Sequence, residues 1–122
     1  MASNPRSKRP APRRGEIWTA YLAIPLSQRH WVLIVSLDER NLSDNAFTVL
    51  VLPFASRIAV APSTLVLSPG ETGLPGVSCL RGHFITTLPK SQLIERLPRP
   101  LSERRMREVS VAIRRSFDPD AP

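Results

Sequence analysis

The chain has 122 residues, of which 42% are hydrophobic, and its 17 basic and 10 acidic side chains give a formal charge of +7. That length suits one domain with a modest core and excludes two. A single cysteine, Cys79, excludes an internal disulfide, and no apolar run approaches the roughly 18 residues needed to cross a bilayer, so the chain reads as cytoplasmic and free of the membrane.

The charge is concentrated at the start. Arg6, Lys8, Arg9, Arg13 and Arg14 precede residue 15 with no acidic residue among them, leaving 12 basic against 10 acidic residues in the body. Residues 1–13 read as a basic disordered tail, because they lack the large apolar side chains that would offset ordering. Such a tail attracts polyanions without sequence preference and says little about the folded body. Gly15 and Glu16 end the basic stretch where a signal peptide would need an apolar segment.

From Glu16 to Leu22, Trp18, Ala20 and Leu22 alternate with Ile17, Thr19 and Tyr21, which predicts a strand covered on both faces. A loop follows over Ile24 to Arg29, containing Pro25. Trp31 to Leu37 is nearly continuous in apolar residues and reads as a central strand, with Gln28, Arg29 and His30 delivered to its start by the loop. Asp38 to Asn45 reads as a turn and Phe47 to Leu52 as a third strand, with Pro53 stopping regular pairing because it has no N–H.

Thr64 to Leu67 is a fourth strand, and residues 69–76, with three glycines and two prolines, read as a surface loop. Val77 to Leu80, His83 to Leu88 and Leu93 to Leu97 read as further short strands. The period then changes: Met106, Val109, Ile113 and Phe117 step by three or four and mark one face of a helix. Ser102 is placed to cap it, Leu101 and Met106 to form a hydrophobic staple, and Asp118-Pro119 to end it. Many short strands and one C-terminal amphipathic helix predict a mainly β fold, a small, strongly bent antiparallel barrel with the helix packed on it.

Five segments come in the order and spacing of a known family: Arg14-Gly15-Glu16-Ile17-Trp18, Val32-Leu33-Ile34-Val35-Ser36, Val49-Leu50-Val51-Leu52-Pro53, Gly70-Glu71-Thr72-Gly73-Leu74 and Ile85-Thr86-Thr87-Leu88-Pro89-Lys90. With Leu101-Ser102 opening the last helix, residues 14–117 resemble the MazF/PemK toxins of type II toxin–antitoxin pairs, leaving 118–122 as a short tail. The resemblance implies an SH3-like barrel of the MazF/CcdB type, a homodimer, neutralisation by a cognate antitoxin protein, and cleavage of single-stranded RNA with no metal or other cofactor. The ribose 2′-hydroxyl is the nucleophile in that cleavage, which requires a base for its proton, an acid for the leaving 5′-oxygen and donors on the phosphate.

The family usually carries an arginine and a proline before its valine-rich strand, and a Thr or Ser just after the third strand. Here the first place reads His30-Trp31, with Arg29 one position early, and the second reads Ala55 followed by Ser56. Histidine titrates near neutrality and carries protons better than a guanidinium, so His30 is the acid/base candidate. Arg29 and Ser56 are the phosphate-binding candidates.

Trp31, Arg57, Arg81 and His83 complete an RNA-binding set. Each has a plainer reading: His30 or His83 bonded within the fold, Trp31 closing a barrel end, Ser56 capping a turn, the arginines solvated. Arginines 104, 105, 107, 114 and 115 of the last helix read as a solvated face or an antitoxin surface. An RNA-cleaving toxin is therefore expected, against a catalytically silent member that binds nucleic acid or a protein, or a gyrase-inhibitor-like toxin.

Overall fold

A strand whose two faces are both apolar must be covered twice, and that requirement organises the molecule. The computed structural model describes residues 10–22 and 28–122, Gln28 by its backbone alone. Residues 1–9 of the expected tail and 23–27 of the expected loop lie outside the described residues.

Strand β1, Ile17–Leu22, pairs antiparallel with β2, Gln28–Ile34, and on its other side with β7, Leu93–Arg96. Strand β3, Thr48–Ala55, lies against β2 and also pairs with β5, Ser78–Arg81, and β6, Thr86–Pro89; β4, Thr64–Leu67, adds to β5. The seven strands run β4-β5-β3-β2-β1-β7, with β6 beside β3. The sheet is antiparallel and barrel-like without closing, and one helix of 12 residues, α3 (Glu103–Arg114), follows it. The expected mainly β fold with a C-terminal helix is thus observed. No helix among the described residues is long and apolar enough to cross a membrane.

Alternation divides the core as the strand period requires. One cluster takes Ile17, Leu33, Leu52, Leu67 and Leu80 together with Leu101, Met106 and Val109 of the helical segment. The other takes Trp18, Ala20, Leu22, Val32, Ile34, Val49, Val51, Leu88 and Leu93. Ser102 caps α3 by accepting from the Arg105 amide at 3.2 Å, and Leu101 and Met106 are buried in one cluster. The helical stripe is shorter than the period suggested. Helix α3 ends at Arg114, and Phe117, beyond it, is 71% exposed.

The Arg14-Gly15-Glu16 segment is a structural fastener. Gly15 sits at φ +91°, donates to the Ile34 carbonyl and accepts from the Leu101 amide. Arg14 reaches the Val35 carbonyl and the Ser110 hydroxyl. The buried Glu16 carboxylate accepts from the Arg13 amide, the Trp18 indole and Arg96.

Four local readings need correction. β2 begins at Gln28 and not Trp31, since the ladder with β1 continues through Leu22, so Arg29 and His30 are strand residues. β3 does not stop at Pro53; it changes partners there, from β2 and β6 to β5. The turns at 38–45 and 69–76 each hold a helical turn, α1 (Asp38–Asn41) and α2 (Pro69–Thr72), the second closed by a Ser68/Glu71 capping box. Gly82–Phe84 is a 3₁₀ turn and not the start of a strand.

Candidate active site

Because proline cannot donate to a ladder, the β2–β3 pairing ends at Val32 opposite Pro53, and beyond this pair the strands part. β2 continues along β1 through His30 and Arg29, while β3 continues along β5 to Ala55. The two places where this chain departs from the usual family residues therefore lie at the ends of one fork.

His30 pairs with Ala20 and shares its face of the sheet with Val32 and Ile34. Its Nε2 is buried and has no hydrogen-bond partner among the described residues. Leaving a buried polar atom unpaired costs about 1–3 kcal/mol, so such an atom calls for an explanation.

Arg29 pairs with Tyr21 and, as the neighbouring strand residue, points to the opposite face from His30. Its Nη2 donates to Thr19 Oγ1 at 3.2 Å and lies 3.1 Å from Glu95 Oε1, in a pair whose side chains are 45% and 72% exposed. Trp31 is half-buried and packs against the cluster that includes Leu33 and Leu52.

Ser56 and Arg57 form an exposed bend after β3. Arg81 donates from Nη2 to the Arg57 carbonyl at 3.1 Å, which ties that bend to the end of β5. His83 is exposed, with Nδ1 3.0 Å from Ser63 Oγ, and its ring meets Phe84 edge-on at 4.6 Å. The structure therefore gathers Arg57, Arg81 and His83 at one corner and places His30 and Arg29 on β2. The helix arginines divide: Arg105 pairs with Glu71 and Glu108, Arg114 pairs with Asp118, and Arg104 and Arg107 are exposed. No group of three or more His, Cys, Asp or Glu able to hold a metal occurs among the described residues.

Two features beside the candidate residues escaped the sequence reading. Glu95 and Thr19 hold Arg29, a contact across strands far apart in the chain that no local pattern announces. Phe84 is 48% exposed with the Arg81 guanidinium 5.5 Å from its ring centre. Gly82, two residues earlier, was the available hint that a strand does not run through here.

This open, barrel-like antiparallel sheet with one terminal helix defines a small mainly β protein, and a family match identifies its kind. Residues 13–117 match the PemK-like, MazF-like toxins of type II toxin–antitoxin systems, and the chain belongs to that family. Among solved structures it is similar to a mycobacterial endoribonuclease in complex with its cognate antitoxin, with a TM-score of 0.76 and 22% identity over 92% of this chain and 100% of that one. It is also similar to the Mycobacterium tuberculosis toxin MazF-mt6, at 0.73 and 20% over 86% and 98%. The MazE–MazF complex from Deinococcus radiodurans matches at 0.69 and 19% over 88% and 96%. No curated protein matches.

Proposed function

We propose that this toxin is an endoribonuclease that cuts single-stranded RNA by attack of a ribose 2′-oxygen on the adjacent phosphorus. The observation that carries the reading is the buried Nε2 of His30, without a partner among the described residues, beside the parting of β2 and β3. His30 moves the proton: the 2′-hydroxyl gives up its proton, O2′ bonds to phosphorus, and the P–O5′ bond breaks as the leaving oxygen is protonated. The products are a 2′,3′-cyclic phosphate and a 5′-hydroxyl, and no metal enters. An imidazole has one ring nitrogen that can take a proton and one that can give it, so it serves as either base or acid in this sequence.

Arg29 and Ser56 meet the phosphate. For Arg29 this requires exchanging Glu95 for the phosphate, which an exposed ion pair permits at a cost of about 1 kcal/mol or less. Arg57, Arg81, His83 and Trp31 bind the RNA on either side. The folded unit is residues 14–117, it acts in the cytoplasm as a homodimer, and a cognate antitoxin protein neutralises it.

A second reading is favoured by one observation, the placement of Arg29 and His30 on opposite faces of β2. A family member with this arrangement binds RNA or a protein partner without cutting. Incubation with a long RNA in excess EDTA separates the two. Fragments ending in cyclic phosphate support cleavage, while intact RNA retained on the protein supports binding alone.

A further inference from the structure

Phe84 is half-exposed, and its surroundings are not those of a stray surface aromatic. Gly82 is buried with the backbone of α3 so close that a Cβ at this position would lie 2.7 Å from the Ile113 amide nitrogen and closer still to the Ala112 carbonyl. Its own amide donates to the Ser63 carbonyl at 2.7 Å. The 3₁₀ turn is therefore fixed at its first residue, and Phe84 projects from a rigid base. The Arg81 guanidinium lies over the ring and the His83 imidazole abuts it edge-on, while the Thr86 hydroxyl donates to the Phe84 carbonyl at 2.8 Å.

The chain segment that carries this ring is poor in acidic residues. Between Phe54 and Pro89 the sole acidic residue is Glu71, and Arg105 occupies it. Arg115 donates to the Pro62 carbonyl in the segment next to Ser63, and Asp118, just past the helix end, is taken by Arg114. A half-exposed aromatic with the Arg81 guanidinium over its ring has the two parts that a single-stranded nucleic acid needs, a flat apolar surface for a base and a cation for a flanking phosphate.

Resting on the endoribonuclease reading, we infer that Phe84 is the base-stacking residue of the RNA-binding surface, holding one nucleobase while Arg81 and Arg57 hold adjacent phosphates. Stacking is tolerant of base identity, so Phe84 sets the register of the strand across the fork.

The test uses the full chain and a 2′-O-methyl RNA 12-mer of random sequence, which binds but cannot be cut through a 2′-hydroxyl. Phe84→Leu is expected to weaken binding about tenfold, as the loss of one stacked base does, with the salt dependence unchanged. Phe84→Trp is expected to restore it. Arg81→Ala is expected to lower the salt dependence by about one phosphate contact. The Phe84→Trp protein also places an indole at the site, and its added fluorescence, above that of Trp18 and Trp31, should be quenched as the oligomer binds, whether or not the leucine variant folds.

Unchanged affinity of a folded Phe84→Leu protein, or an indole at position 84 that is not quenched while wild type binds RNA, overturns the stacking role and leaves the cleavage reading intact. Wild type that neither binds the oligomer nor cuts RNA overturns both. A Phe84→Leu protein that binds RNA normally but loses an acidic protein partner assigns the surface to protein recognition and likewise overturns the inference.

Discussion

His30 is a residue whose surroundings cost stability without an obvious structural return: its Nε2 is removed from solvent and has no partner among the described residues. A substrate proton would satisfy it. Replacing His30 with alanine is expected to lower cleavage about 10²–10⁴-fold, the usual range for loss of a general acid or base, with little loss of fold. Arg29 belongs to a different kind of position, exposed and exchangeable. Glu95→Gln, by removing the competing carboxylate, is expected to tighten binding of single-stranded RNA a few-fold at low salt and to have no such effect at high salt, which a titration of affinity against ionic strength would show.

Among the elements, the 3₁₀ turn at Gly82–Phe84 and helix α3 meet backbone to backbone. Adding a Cβ at Gly82 drives it into backbone and not into a side chain that can turn away, so Gly82→Ala is expected to cost at least about 1–3 kcal/mol, read as a lowered thermal midpoint. Ser102→Ala removes the acceptor of the Arg105 amide and is expected to cost about 1 kcal/mol by the same measurement.

Much of this level was legible in the residues. The alternation over Ile17–Leu22, the β4 segment and the capped helix start each follow from a local period or a single capping side chain, and they are found where expected. What was not legible depends on partners distant in the chain. Pro53 is where a strand exchanges one neighbour for another, and nothing local distinguishes that from a strand end. Gly82 is required by the approach of α3 thirty residues later, and His30 is a strand residue because β1 extends to pair with it. The candidate site was legible as a set of residue types at two positions. Its division between the two faces of β2 depended on where the strand begins.

At the scale of the whole molecule, the loop between β4 and β5 is locked to the terminal helix by Glu71. Hydrogen bonds from Arg105, and next from the Ser68 amide, hold its carboxyl down at about 2 from an ordinary 4.5. The folded-state pKa is the lower one, so the stabilisation is present above 4.5 and is lost as the pH falls from there toward 2. Glu71 and Arg105 are partly solvated, which keeps the effect to about 1 kcal/mol. Denaturant midpoints at pH 7 and pH 3 should differ less in Glu71→Gln than in wild type.

The central claim, that His30 carries the proton in RNA cleavage, is tested most directly by single-turnover cleavage of a long RNA in EDTA by wild type and His30→Ala, with and without added imidazole. The account predicts fragments ending in cyclic phosphate from wild type, loss of at least about a hundredfold in the variant, and partial recovery with imidazole. Cleavage by His30→Ala at the wild-type rate would contradict it.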